Sequence, residues 1–178
     1  MTVGAASGKV ASTQFWMRKL HSLTGFLFLG YFLCLHVRGE GAYESPVLRV
    51  LFLYLPLLYH SLYGLYITYE SQPNNIRYPE LRNWMYFGQR VTGLFLVPFL
   101  VLHVAAMNGA AFADAGWYMA VWYAGLLSAV YHLANGIFGA AIDWGFTVGP
   151  HSQRVFVGVS FAAFVILAVY GLQTLAEF

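Results

Sequence analysis

Four histidines, His36, His60, His103 and His132, each stand inside a stretch of chain free of Asp, Glu, Lys and Arg. An ionisable side chain in such apolar surroundings is costly and marks a functional site. Imidazole can do three things there. It can hydrogen-bond a neighbouring helix as a neutral ring, carry protons, or hold a metal or metal-bearing group. The ligands that would accompany histidine in a zinc site are absent: no acidic residue falls in these stretches, and Cys34 is the single cysteine. Zinc takes four ligands, or three and water. One cysteine also excludes a disulfide framework and an iron–sulfur cluster held by this chain alone.

The elements that carry these histidines follow from composition. Of 178 residues, 60% are hydrophobic and 19% aromatic, while 9% are charged. A soluble domain carries about 25% charged residues. Nine basic and seven acidic side chains are too few to cover a soluble surface. This excludes a soluble globule, a disordered chain and a coiled coil, and a net charge of +2 offers no field for nucleic acid. Five charge-free runs, 20–37, 50–69, 91–113, 115–142 and 155–176, are long enough to cross a bilayer. They are continuously apolar, not alternating, which favours helices over barrel strands. The expectation is one all-α integral membrane domain over residues 1–178, a bundle of five transmembrane helices with spans about 16–37, 48–70, 86–109, 116–141 and 153–176. The residues before the first span, Met1 to Phe15, are expected to be loose. Lys9, Arg18, Lys19, Arg77, Arg82, Arg90 and Arg154 fall on one side and only Arg38 and Arg49 on the other, which puts the N-terminus in the cytoplasm and the C-terminus outside.

Depth sorts the histidines. At 1.5 Å rise per residue, His60 and His132 lie about 15–16 Å from the inner surface on helices that run inward. His36 and His103 lie at roughly 20–26 Å, on helices that run outward. Two pairs result, His60 with His132 and, further out, His36 with His103. Two imidazoles facing each other across a bundle hold a haem iron by both axial positions, which leaves no open site and suits electron transfer. Four of the five helices would then hold two stacked haems. Gly64 and Gly136 follow His60 and His132 by one turn, and Gly25 and Gly93 fall near the same depth on the partner helices. These four glycines are candidates for haem packing, with plain helix packing as the alternative. The two hairpins share this arrangement as a faint parallel repeat. Pro56 and Pro98 precede their histidines by four and five residues and could kink the helices locally. At the inner boundary, Arg18, His21, Ser22, Arg90 and Arg154 are candidate partners for haem propionates, with positive-inside anchoring as the alternative.

Several segments together resemble a known family: Arg18-Lys19-Leu20-His21-Ser22-Leu23, Leu35-His36, Leu57-Leu58-Tyr59-His60 with Gly64, Arg82-Asn83-Trp84-Met85, Gln89-Arg90-Val91, Leu102-His103, His132 with Asn135-Gly136, Trp144-Gly145 and Ser152-Gln153-Arg154. The chain is similar over nearly its whole length to the dihaem cytochrome b membrane anchors of succinate:quinone oxidoreductases and fumarate reductases, in their five-helix, single-anchor bacterial form. The resemblance implies axial ligands at His36, His60, His103 and His132, paired first with third and second with fourth. It implies two haem b, a cytoplasmic iron–sulfur subunit, a flavoprotein with FAD, and a quinone, menaquinone in this group. It further implies a multi-pass subunit of the bacterial cytoplasmic membrane that reacts with quinone and does not by itself act on succinate.

Quinone reduction needs two electrons and two protons. The outer-loop residues Arg38, Glu40 and Glu44 are candidates for a quinone site near His36 and His103, with solvated loop charges as the alternative. Two other readings stay open here. One is the anchor of a fumarate reductase or another quinone-linked respiratory enzyme. The other is a haem-free membrane transporter whose histidines bond across helices or carry protons.

Overall fold

A computed structural model describes the backbone of residues 3–38, 45–113 and 115–176, and the side chains of 13–31, 45–113 and 115–175. Every regular element described is helical. Helix α1 runs Val3–Arg38, α2 Pro46–Tyr69, α3 Leu81–Met107, α4 Gly116–Asp143 and α5 Pro150–Ala176. Among the described residues four helices are long and apolar enough to cross a membrane: Pro46–Tyr69, Leu81–Met107, Gly116–Asp143 and Pro150–Leu175. The chain divides into two compact units between Ile67 and Thr68.

Helix starts follow the local sequence. Pro46 opens α2 and Pro150 opens α5, positions where a missing backbone N–H costs nothing. One expectation is corrected at the N-terminus: α1 begins at Val3, within the stretch expected to be loose. That stretch holds Ala5, Ala6 and Ala11 and no proline, so nothing in it stops a helix from continuing outward from the apolar run.

In the first unit α1 packs against a part of α2 that is not α-helical. Val50–Tyr54 forms a π-helical stretch, and Leu55 N–H donates to the Val50 carbonyl, five residues back. Pro56 follows directly. Its ring would collide with the carbonyl four residues earlier in a regular α-helix, and it has no N–H to give. A widened turn removes that collision. Pro98, by contrast, sits inside an unbroken α3.

The second unit is a three-helix layer in which α4 packs on both α3 and α5. Small residues bring the backbones close. A Cβ on Gly125 would run into the ring of Phe99 on α3, and a Cβ on Gly171 of α5 would meet Leu126. Polar side chains bond across the same seams: Ser160 Oγ donates to the Ala134 carbonyl at 2.7 Å, and Asn135 Nδ2 to the Met85 carbonyl at 2.7 Å. Close backbones and interhelical hydrogen bonds are the means by which helices associate in lipid. Much of the outward surface is apolar, including Leu58, Leu62, Leu94, Val101, Phe161 and Ile166. In water such a surface would aggregate.

Candidate haem-binding site

His60 lies on α2 with its ring turned to α1. Its Nδ1 is 2.9 Å from the carbonyl oxygen of His21. A carbonyl only accepts, so Nδ1–H is the donor and Nε2 keeps its lone pair. The His21 ring stacks on the His60 ring, with centroids 4.0 Å apart and planes 8° from parallel. Gly25, one turn after His21, faces the same imidazole: a Cβ there would stand 2.7 Å from His60 Cε1. Gly64, one turn after His60, faces back, and a Cβ there would stand 3.2 Å from His21 Cε1. Tyr59 fastens the pair of helices through a hydroxyl bond to the Met17 carbonyl at 3.1 Å.

The second unit repeats this arrangement with different residues. His132 on α4 donates from Nδ1 to the carbonyl of Gln89 on α3 at 3.1 Å, and Thr92 Oγ1 lies 3.3 Å from the same nitrogen. Gly93, four residues after Gln89, faces the ring, with a Cβ there 2.9 Å from His132 Cε1. Gly136, four residues after His132, faces Gln89, with a Cβ there 3.6 Å from Nε2. Gln89 Nε2 returns a bond to the His132 carbonyl at 3.1 Å. Gln89 thus does in this unit what His21 does in the other.

The two histidines fit a haem iron on this geometry. Metal-binding histidine almost always donates its second ring nitrogen to a carbonyl or carboxylate, which fixes the tautomer and the ring orientation. Each of the two does so, and each has a glycine in place of a side chain against its ring edge. Among the described residues no three His, Cys, Asp or Glu side chains converge as a metal-ion site.

His103 on α3 sits among aromatic rings. Trp122 of α4 meets it edge to face at 4.6 Å, and Phe99, one turn earlier on its own helix, lies 5.8 Å away and nearly parallel. The side chains of His36 and Arg38 lie outside the described residues, as do Glu40 and Glu44 entirely. Of the boundary candidates, Ser22 Oγ donates to the Lys19 carbonyl of its own helix at 3.0 Å. Arg90 folds onto Tyr86, with its guanidinium carbon 3.2 Å from the ring centroid and a 3.0 Å bond to the Tyr86 carbonyl. Arg18 and Arg154 are exposed.

Residue-by-residue reading of the sequence gives Gln89 and Thr92 no role. The signal that could have found Gln89 is its offset: it precedes Gly93 by four residues, as His21 precedes Gly25.

A helical chain with at least four spans of membrane length and two carbonyl-oriented intramembrane histidines has the makings of a polytopic cytochrome. Residues 71–171 match the model of the succinate dehydrogenase/fumarate reductase transmembrane subunit, and the chain belongs to that family. It is 34% identical, over an alignment covering 93% of this chain and 97% of the relative, to the succinate dehydrogenase cytochrome b558 subunit of Bacillus subtilis (strain 168). No solved structure gives a significant match.

Proposed function

We propose that this chain anchors a succinate:quinone oxidoreductase in the bacterial cytoplasmic membrane and carries electrons between a cytoplasmic iron–sulfur subunit and quinone. The FAD flavoprotein that acts on succinate is a separate partner. Five helices span the membrane, α1 included, with the N-terminus inside. His60 with His132, and His36 with His103, hold two haem b by their axial positions.

The observation that carries this reading is the shared posture of His60 and His132. Each gives its Nδ1 proton to a main-chain oxygen on an adjacent helix, at 2.9 and 3.1 Å, and so keeps Nε2 for a metal. A side chain at the position facing each ring would push the imidazole off that oxygen, so a glycine there holds the posture. Both have one, Gly25 and Gly93. When bound, the haem supplies an iron that accepts and returns one electron at a time. The chain's residues fix the imidazoles, exclude water from the ring faces through close helix packing, and place the inner pair nearer the cytoplasmic partner. Arg18, His21, Ser22, Arg90 and Arg154 lie at the boundary where propionates would need hydrogen bonds. Arg38 ends α1, and Glu40 and Glu44 follow it in the chain nearest the outer pair, where quinone would exchange protons with water. Menaquinone is the expected substrate.

The matched family also includes anchors of fumarate reductases, which would run the same path in reverse. The test of the common claim is haem content. Detergent-purified protein should carry two low-spin haem b per chain in a reduced-minus-oxidised spectrum. Folded protein without haem would overturn the proposal and favour a transporter.

A further inference from the structure

A threonine stands directly before each glycine that faces a histidine ring. On α1 the order is His21, Thr24, Gly25, and on α3 it is Gln89, Thr92, Gly93. The first residue of each set lends its carbonyl to an imidazole, and the last leaves room for the ring. Both threonine hydroxyls bond back along their own helices. Thr24 Oγ1 lies 2.8 Å from the Leu20 carbonyl oxygen and 3.0 Å from that of His21. Thr92 Oγ1 lies 2.7 Å from the Gly88 carbonyl oxygen and 3.3 Å from that of Gln89. Back-bonding of this kind satisfies a hydroxyl inside a helix and by itself implies nothing more.

Thr92 makes a further contact. Its Oγ1 is 3.3 Å from Nδ1 of His132 on the neighbouring helix. A hydroxyl has one proton, and the short approach to the Gly88 carbonyl takes it. The Nδ1 proton is directed at the Gln89 carbonyl, 3.1 Å away, which can only accept. Oγ1 therefore turns a lone pair to the imidazole, and the Nδ1–H is shared between two acceptors. We infer that Thr92 is a positioning residue for His132: its hydroxyl oxygen is a second acceptor for the Nδ1 proton and lowers the potential of the haem that this imidazole holds. This deepens the function proposed above and rests on it. Acceptors on the outer N–H make an imidazole a more basic ligand. A more basic ligand favours ferric over ferrous iron, because the oxidised ion carries the larger charge. The proton stays on Nδ1 throughout, so Thr92 biases an equilibrium and adds no chemical step.

The test compares Thr92→Val with Thr92→Ser in the intact complex, purified with its flavoprotein and iron–sulfur subunits. Valine keeps the branched shape and removes the oxygen, while serine keeps the oxygen and removes the methyl group. The readout is a redox titration of the haem component that His132→Met perturbs. In Thr92→Val, its reduced-to-oxidised ratio at a fixed ambient potential should rise about twofold to fivefold, the worth of a weak neutral hydrogen bond. The other component should keep its potential, and Thr92→Ser should titrate as the unsubstituted complex does. An unchanged or lowered ratio in Thr92→Val overturns the inference. So does a serine variant that shifts as far as the valine variant, which would make the methyl group the working part. Should Thr92→Val lose that haem, Thr92→Ser decides: intact haem at its original potential upholds the hydroxyl, and loss of the haem there too overturns it. Absence of haem from the unsubstituted complex, or a His132→Met variant that perturbs neither component, is a different failure, that of the function on which this inference rests.

Discussion

His60 donates from Nδ1 to the main-chain oxygen of His21, thirty-nine residues earlier, at 2.9 Å, and the two rings stack with centroids 4.0 Å apart. The carbonyl sets the tautomer of His60, and the stacked ring limits its rotation. His132 and Gln89 stand in the same relation at 3.1 Å. A backbone oxygen survives any substitution at its own position, so the tautomer of each imidazole is protected while the side chains at 21 and 89 remain free to differ.

The glycines facing these rings should act on a single cofactor. Gly25→Ala and Gly93→Ala each push a Cβ to within 3 Å of an imidazole carbon, 2.7 Å for His60 and 2.9 Å for His132. Both variants should lose or broaden the same haem component, with haem content falling from two per chain toward one. A reduced-minus-oxidised spectrum of each purified variant checks this. Loss of different components by the two would separate His60 from His132.

His21→Leu keeps the carbonyl and removes the stacked ring. Haem content should stay at two per chain, while the midpoint potential of the haem held by His60 shifts. Redox titration of the two components reads this directly. Loss of that haem altogether would make the ring of His21, not its main-chain oxygen, the essential support.

Gly125→Ala drives a Cβ into Phe99, the ring that stacks on His103. Overpacking of this kind costs about 1–3 kcal/mol. Thermal stability should fall accordingly, and the component assigned to His36 and His103 should move while the other stays in place. A shift in the other component alone would show that His103 is not a ligand of the affected haem.

Glu40→Gln and Glu44→Gln address the outer loop. If these carboxylates exchange protons with quinone, one or both variants should slow succinate:quinone turnover several-fold with both haem components intact. Unchanged turnover in both would remove them from the mechanism.

Four helices of membrane length were legible because lipid imposes a blunt rule: charges such as Arg49, Glu70 and Asp143 bracket the apolar runs, and helix ends fall within a few residues of these three, whereas Arg90 lies nine residues inside a helix that begins at Leu81. Counting turns put Gly25 and Gly93 near the depth of His60 and His132, since rise per residue fixes depth, and each glycine faces one of those rings. Rotational phase is another matter. The contacts of His60 with the His21 oxygen and of His132 with the Gln89 oxygen depend on how two helices are turned about their axes, which spacing along one helix does not specify. The π-helical stretch at Val50–Tyr54 was illegible for a related reason, since Pro56 announces a disturbance but not whether the chain kinks or widens. At Pro98 the α-helix continues without a π-helical turn. The N-terminal extension of α1 was missed because a mild sequence such as Ala5-Ala6-Ser7 carries neither a stop signal nor an apolar face.

The most direct test of the central claim is a comparison of difference spectra for four purified single variants, His36→Met, His60→Met, His103→Met and His132→Met. The account predicts that His60→Met and His132→Met perturb one haem component and that His36→Met and His103→Met perturb the other. Loss of the same component by His36→Met and His60→Met would contradict it.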